Sequence, residues 1–334
     1  MKHIAIIGEC MIELNGKPFG EMHQTFGGDT LNAAVYLSRA CALNPDPALI
    51  KTSYVSALGI DPISVGMLSR WHNEGVDTSL VLRDQQRTPG LYLIQLDEQG
   101  ERTFLYWRNQ SAARYLFQQS GFEAVKASLK QVNMVFLSGI SLAILPEEDR
   151  ILMFQLLQEL KSQGVEVSFD SNYRSSLWPI DELKTVKSTY QQMYQLTDLA
   201  LVTFDDEQLI WGDTTPQDTV QRLHAEGVRH VVVKLGSQGC FISEEFGTSS
   251  QHIPTQVVEK VVDTTSAGDS FNGGFLSCYL AGGSLRQSCQ RGNRLAGIVI
   301  QHKGAIIPKT ATDVVTQKKL RNLHVDYQRT TTGA

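Results

Sequence analysis

The sequence has no pattern of cysteine residues that would cross-link a small domain or bind a metal. Its 334 residues include five cysteines, and no two of them form a C-x-x-C pair. This scatter excludes a disulfide framework and a cysteine zinc site, and it is typical of free thiols in a reducing cytosol. The cysteines are Cys10, Cys41, Cys240, Cys278 and Cys289.

The sequence also lacks long runs of one charge and long apolar runs. Its formal net charge is −5, without an extended basic or acidic tract, which argues against nucleic acid and membrane surfaces as partners. The apolar run at 3–8 is too short for the apolar region of a signal peptide, and no later run approaches the length of a membrane span. We therefore expect a cytoplasmic protein.

Two common nucleotide-binding motifs are absent. The sequence contains neither G-x-x-x-x-G-K-[ST] nor G-x-G-x-x-G. This absence argues against P-loop kinases and against dinucleotide-binding enzymes of the Rossmann type. A nucleotide bound by this chain would have to be held in another way.

What the sequence does contain is a regular alternation of strand and helix patterns, clearest after about residue 115. A chain of 334 residues can bury a sizeable core, and the alternation predicts an α/β fold with a doubly wound, mainly parallel sheet and helices on both faces. Such sheets bind ligands at the carboxyl ends of their strands. The predicted strands are 3–8, 11–14, 51–58, 132–138, 165–170, 199–203 and 230–235, and the predicted helices include 61–74, 146–163, 181–196 and 216–226.

Residues 91–96 and 102–107 alternate in polarity on either side of a turn at 97–100, which predicts a β-hairpin. Side chains alternate faces along a strand, so Tyr106 and Arg108 share one face. An aromatic hairpin that carries an arginine is an unusual core element. It is either an edge hairpin with aromatic pairs across its strands or a surface that contacts a ligand.

The stretch 261–275 is the most informative in the chain. It changes from apolar residues to small ones at 266–268, and an amphipathic helix pattern begins at Asp269. A helix start without bulky side chains can bind an anion through its free N–H groups. Beside a bound phosphate, Asp269 would act as a base that orients a hydroxyl, with the backbone of Ala267 and Gly268 completing an anion hole. The alternative is that Asp269 is only a helix cap or a first-turn acid.

A second glycine-rich turn precedes the helix pattern that runs to Leu43. Residues 26–34 contain Gly27 and Gly28, followed by Asp29 and Asn32 in the first turn of the helix. One interpretation is a tight turn with Asp29 as its cap. The other is a floor for a polar ligand, with Asp29 and Asn32 offering groups to its hydroxyls.

Polar residues follow three further predicted strands, in the runs 170–174, 203–207 and 234–239. Each run alone could be a solvated loop or a helix cap, but together with 263–269 they predict one site at the edge of the sheet. A guanidinium binds a carboxylate through two parallel hydrogen bonds, so Arg108 and Arg174 favour an acidic substrate. Arg174 could instead, or also, contact the transferring phosphate, and either arginine could form only a surface salt bridge.

Several of these segments resemble the signatures of the ribokinase-like carbohydrate kinases. Residues 263–269 resemble Asp-Thr-x-Gly-Ala-Gly-Asp with Ser266 at the first Gly, 27–34 resemble Gly-Gly-x-x-x-Asn-x-Ala, and 236–239 loosely match Gly-x-x-Gly. Glu207 matches the acid of the Asn-x-x-Glu motif, in which Phe204 replaces the Asn. Further segments look like the bacterial members that phosphorylate 2-keto-3-deoxy sugar acids, namely 8–14, 26–32, 89–92, 100–104, 106–108, 137–145, 172–174 and 304–308.

The resemblance implies a ribokinase-like fold with a small β-sheet lid and ATP-dependent phosphorylation of a sugar acid at its C6 hydroxyl. It implies a kinase domain at 1–310, with lid strands from about 10–26 and 88–110, and a polar tail at 311–334. Asp269 is then the proton acceptor, assisted by Ala267, Gly268 and Arg174. Together with the residue patterns, the predicted substrate contacts are Gly28, Asp29, Asn32, Tyr92, Tyr106, Arg108, Arg174 and Asp269, and the predicted nucleotide contacts are Asn172, Lys234, Gly236, Ser237, Gly239, Ser266, Gly268 and Asn293.

Magnesium is expected with ATP, because it neutralises the charge of the transferring phosphoryl group, and Glu207 would hold it through water. The sequence leaves open whether a monovalent cation assists, whether the protein forms a homo-oligomer and which epimer of the sugar acid it prefers. Two other functions remain. One is a kinase of the same fold for fructose, ribose or a nucleoside, and the other is a sugar-sensing protein without catalysis.

Overall fold

The computed structural model describes residues 1–17, 19–44, 46, 49–96 and 102–313. In these residues the strands are β1 (Lys2–Ile7), β2 (Met11–Gly16), β3 (Met22–Gly27), β4 (Ile50–Gly59), β5 (Val81–Asp84), β6 (Leu91–Leu96), β7 (Arg102–Trp107), β8 (Met134–Ser138), β9 (Glu166–Asp170), β10 (Leu199–Thr203), β11 (His230–Lys234), β12 (Cys240–Glu244) and β13 (Ser249–Ile253). The turn predicted at 97–100 and most of the predicted tail, 314–334, lie outside the described residues.

The α-helices of the described residues are α1 (Asp29–Ala42), α2 (Pro62–Asn73), α3 (Phe122–Leu129), α4 (Gly139–Ala143), α5 (Glu147–Ser162), α6 (Lys184–Leu196), α7 (Phe204–Trp211), α8 (Pro216–Ala225), α9 (Ala267–Tyr279), α10 (Leu285–Val299) and α11 (Lys309–Thr312). No described helix is long and apolar enough to cross a membrane.

The predicted doubly wound sheet is confirmed. Its strand order is β13-β12-β11-β10-β9-β8-β1-β4-β5, and the described strands from β11 to β5 pair in parallel. The antiparallel edge of β12 and β13 was not predicted. Strand β1 lies between β8 and β4, so the strand order reverses beside it, which is where such sheets bind ligands.

Helices cover both faces of this sheet, as the alternation predicted. Ile4 and Ile6 of β1 join a core with α1, α2, α9 and α10, whereas Ala5 and Ile7 join a second core with α3, α5, α6 and α8. This division follows from the twofold alternation of side chains along a strand. Apolar residues on both sides of β1 therefore place the carboxyl end of the strand deep between two helical layers.

A separate small sheet has the strand order β3-β2-β6-β7. The predicted hairpin strands pair antiparallel with Tyr92 opposite Tyr106, and β2 lies parallel to β6 with Glu13 opposite Tyr92. On β7 both faces are partly open, since Tyr106 is 51% exposed and Trp107 is 58% exposed. Strand β3 runs directly into the glycine turn before α1, so the small sheet is joined to the floor of the predicted site.

Close packing of α1 against α9 brings together two distant parts of the chain. A Cβ atom on Gly273 of α9 would lie 2.7 Å from the backbone nitrogen of Leu37 in α1, so only glycine permits this approach. The contact sets the start of α9 beside the start of α1. Asn32 and Asp269, which are 237 residues apart, therefore meet.

Candidate active site

Asp269 lies in the first turn of α9, where the chain enters the helix through an unusual conformation. Ser266 is the N-cap residue and has a φ of 64° and a ψ of 16°, in the left-handed region that favours glycine. The Asp269 carboxylate accepts hydrogen bonds from Asn32 Nδ2 at 2.9 Å and from Ser266 Oγ at 3.0 Å. Asp269 is therefore not the N-cap of its helix, and its carboxylate points toward α1.

The surroundings of Asp269 hold its pKa near neutrality. Burial raises the pKa of Asp269 to about 7, the negative charge of Asp29 adds to this effect, and the hydrogen bonds from Asn32 and Ser266 oppose it. A carboxyl group with a pKa near the working pH can accept a proton and release it again. This is the property that a general base requires.

Asp29 is the second carboxylate of the site. It accepts a hydrogen bond from Asn172 Nδ2 at 2.7 Å, and Asn172 follows β9 with a φ of 29°. Burial raises the pKa of Asp29, and the charge of Asp170 raises it further. The predicted residues Asp29, Asn32, Asn172 and Asp269 are thus brought together at the carboxyl ends of the strands.

A lysine faces the start of α9. Lys234 Nζ lies 3.7 Å from the position that a Cβ on Gly268 would occupy. It donates a hydrogen bond to Asp170 Oδ1 at 3.0 Å and contacts Asn272 Oδ1 at 3.4 Å, while Asn272 Nδ2 donates to Asp170 Oδ2 at 2.7 Å. A buried cation beside the first turn of a helix is suited to bind a phosphate. In this structure the Ala267 N–H donates to the Thr264 carbonyl oxygen at 3.1 Å, so its bond to a phosphate would replace that one.

Asn272 and Asp170 were not predicted individually from the sequence. Asp170 ends β9 and is buried, and Asn272 is buried on α9 three residues after Asp269. The spacing of three residues, which places Asn272 on the same helix face as Asp269, was the available signal.

The predicted substrate residues of the small sheet are held by two glutamates that sequence reasoning missed. Arg108 donates from Nε to Glu9 Oε2 at 2.9 Å and also from Nη2 to the same oxygen. The Tyr92 hydroxyl donates a hydrogen bond to Glu13 Oε2. Tyr106 packs beside Tyr92, with 6.0 Å between the ring centroids. The Arg108 ion pair is buried, so the surface salt bridge considered for this residue is wrong.

Arg174 is not drawn into the site in this structure. It is exposed, and its Nη1 donates to the carbonyl oxygen of Tyr173 at 2.9 Å. It nevertheless follows Asn172 directly, and its charge lowers the pKa of Asp206. Its contact with substrate or phosphate stays a prediction.

Two of the predicted nucleotide residues near β12 lie against the same carbonyl group. Asn293 Nδ2 is 3.5 Å from the Ile253 oxygen, and Gly239 packs so closely on the same oxygen that a side chain would overlap it. Gly236 and Gly239 have φ values of 55° and 91°, which explains their glycine character. Ser237, which lies between them in the chain, is exposed, so a ligand can contact it.

Glu207, which was predicted to hold a metal ion through water, has two protein partners in this structure. Glu207 is fully buried, and its oxygens accept hydrogen bonds from Tyr194 and from Arg222, each at 2.7 Å. Burial raises the pKa of Glu207 to about 7. The preceding residue, Asp206, points the other way around α7, because one residue turns a helix by about 100°.

Asp206 is the acid of this helix that faces the site. Its Oδ2 accepts from the Tyr173 backbone nitrogen at 3.1 Å and from Ser171 Oγ at 3.3 Å. Burial and the charge of Asp170 raise the pKa of Asp206, while the charges of Arg174 and Lys234 lower it. These three charged groups therefore lie close enough to Asp206 to affect its ionisation. Among the described residues, no three His, Cys, Asp or Glu side chains are grouped as a metal site, and a magnesium ion here would need ligands from ATP and water.

The chain is similar to known proteins along most of its length. Residues 1–312 match the pfkB family of carbohydrate kinases. The chain belongs to this family. A 2-dehydro-3-deoxygluconokinase of Haemophilus influenzae is 55% identical over 311 residues, covering 93% of this chain and 97% of the relative. A 2-dehydro-3-deoxygluconokinase of Escherichia coli K12 is 46% identical over 312 residues, covering 93% of this chain and 98% of the relative.

Solved structures support the fold of this pfkB-family chain. A fructokinase with bound ATP from Xylella fastidiosa matches with a TM-score of 0.78 at 20% identity, covering 95% of this chain and 98% of that one. A PfkB protein from Polaromonas matches with a TM-score of 0.77 at 24% identity, covering 94% and 99%. The predicted ribokinase-like fold with a separate small sheet is confirmed.

Proposed function

We propose that this protein transfers the γ-phosphoryl group of ATP to the C6 hydroxyl of 2-keto-3-deoxygluconate. The observation that supports the chemistry is the start of α9, where Asp269 lies in the first turn and Lys234 Nζ faces Gly268. The identity of 55% to a 2-dehydro-3-deoxygluconokinase supports the choice of substrate. The proposal assigns the protein to sugar-acid catabolism.

In this reaction Asp269 accepts the proton of the attacking hydroxyl. The backbone N–H groups of Ala267, Gly268 and Asp269 bind the transferring phosphoryl group, and Lys234 offsets its charge. Asn32 holds the Asp269 carboxylate in one orientation through its hydrogen bond of 2.9 Å. Transfer to water is slowed when the small sheet covers the sugar and excludes solvent.

The substrate is held between the glycine turn and the small sheet. Gly28, Asp29 and Asn32 form its floor, Tyr92 and Tyr106 form a wall, and Arg108 and Arg174 bind its carboxylate. On the nucleotide side we assign contacts with ATP to Asn172, Gly236, Ser237, Gly239, Ser266, Gly268 and Asn293.

Magnesium, when bound with ATP, neutralises charge on the phosphates. We assign Asp206 rather than Glu207 to its water shell, because Asp206 faces Lys234 and Asp170 whereas Glu207 is enclosed by Arg222 and Tyr194.

The deciding experiment measures ADP release from ATP with 2-keto-3-deoxygluconate, and in parallel with fructose, ribose and gluconate. We expect strong turnover only with the keto-deoxy acid, and a loss of about 10²–10⁴-fold in Asp269→Asn without loss of the fold. Turnover confined to a neutral sugar would refute the substrate but keep the kinase. Absence of turnover with all four, in folded protein with magnesium, would favour the sugar-sensing alternative.

A further inference from the structure

Glu9 lies just beyond the carboxyl end of β1, at the junction of the two sheets. Its side chain is 1% exposed, and its Oε2 accepts both hydrogen bonds from Arg108, the residue that follows β7. The backbone of Glu9 packs directly on Gly28, which allows no side chain there. A buried carboxylate of the main sheet thus holds a guanidinium of the small sheet next to the proposed sugar floor.

The contact leaves one edge of the guanidinium unused. Glu9 binds the edge formed by Nε and Nη2, while Nη1 makes no hydrogen bond to any described residue. A guanidinium has a second edge, formed by Nη1 and Nη2, that can bind a carboxylate through two parallel hydrogen bonds. The Arg108 side chain is 9% exposed, so it is held nearly rigid with this second edge available.

The pair is poorly built for stability alone. Glu9 Oε1 is buried without a partner among the described residues, and it lies 2.9 Å from where a Cβ on Gly90 would be. In the pair of Arg39 and Glu74, by contrast, each carboxylate oxygen accepts one hydrogen bond of 2.7 Å. A buried carboxylate with an unsatisfied oxygen costs free energy, which points to a role other than holding the fold.

We propose that Glu9 is a positioning residue that presents the free edge of Arg108 to the carboxylate of the sugar acid. This inference rests on the proposed function. Because Glu9 neutralises Arg108, the pair selects a carboxylate by the fixed direction of two donors and not by excess positive charge. A guanidinium released from Glu9 keeps its charge but loses that direction.

The test compares 2-keto-3-deoxygluconate with its carboxamide, in which a neutral amide replaces the carboxylate. Wild-type protein should have a much lower KM for the acid. In Glu9→Gln, which keeps the size of the side chain, we expect the KM for the acid to rise by about tenfold or more, the scale of a charge-assisted hydrogen bond. The KM for the amide and both kcat values should change little.

Glu74→Gln is the matched control, because it weakens another arginine–carboxylate pair, in which Arg39 of α1 is buried and Glu74 lies at the end of α2. It should lower Tm and leave the ratio of the two KM values unchanged. If both KM values change by the same factor in Glu9→Gln, the ratio of the KM for the amide to the KM for the acid stays unchanged, and Glu9 is only structural.

Arg108→Lys provides a second variant if Glu9→Gln does not fold. It keeps the positive charge but removes the two parallel donors of the guanidinium, so this variant should also lose the preference for the acid. A preference equal to that of wild type would overturn the proposal. If wild-type protein phosphorylates neither compound, the proposed function fails together with this inference. If it phosphorylates the acid and the Glu9 variant discriminates normally, only the positioning role fails.

Discussion

The rate of phosphoryl transfer should follow the ionisation of Asp269. Burial and the charge of Asp29 raise the pKa of Asp269 to about 7, and a general base works only when it is deprotonated. Turnover should therefore rise with pH and level off above about pH 8. One pH unit below the pKa, roughly a tenth of the carboxyl groups is ionised, so the rate at about pH 6 should be roughly a tenth of the plateau.

Two substitutions should move this profile in opposite directions. Asp29→Asn removes a negative charge that raises the Asp269 pKa, so the midpoint should move to lower pH. Ser266→Gly removes the 3.0 Å hydrogen bond that stabilises the Asp269 carboxylate, so the midpoint should move to higher pH. The midpoints are compared rather than the plateau rates, because Asp29 also belongs to the proposed sugar floor.

The assay is ADP release at saturating ATP and sugar acid between about pH 5 and pH 9, within the range where carboxyl groups of raised pKa titrate. Asp269→Asn is the control, since an acidic limb that persists in this variant would come from ATP or another group. A rate already at its plateau near pH 5, or identical midpoints in the two shifted variants, would refute the reasoning from burial and neighbouring charge.

Two further predictions concern stability and magnesium. The carboxyl of Asp269 stays protonated to about pH 7 when folded but only to about 3.8 when unfolded, so the folded state binds more protons in that window and stability falls as pH rises through it. Asp269→Asn should thus have a higher Tm than wild type at about pH 8, with the difference vanishing near pH 4; a lower Tm at pH 8 would contradict this. Asp206→Asn should raise the magnesium concentration needed for half-maximal turnover and weaken Mn²⁺ binding measured by electron paramagnetic resonance. Glu207→Gln should instead lower Tm, because it weakens a buried contact of Arg222 and so lowers the free energy of unfolding by at most about 3 kcal/mol. A changed magnesium requirement in Glu207→Gln would restore Glu207 to the metal site.

The local sequence was sufficient for the elements that define the family. The strands at 3–8, 132–138 and 165–170 were predicted because each is a short apolar run between turns, and their observed counterparts form the centre of the sheet. The helix start at Asp269 was predicted because small residues precede an amphipathic run. The strands β12 and β13 were missed, because their short and partly polar runs become strands only by pairing with the edge of the sheet.

The amino-acid order alone therefore determined where the strands end, and with them the position of Asp269, Asp29 and Lys234 at one edge of the sheet. Only the tertiary structure decided which partner each charged side chain has. Glu207 and Asp206 are adjacent in the chain, yet one is enclosed by Arg222 and the other faces the site. Glu9 meets Arg108 across 99 residues. Local sequence patterns show the periodicity of strands and helices and of their buried positions. The pairing of distant charges depends instead on how the two sheets and their helices pack.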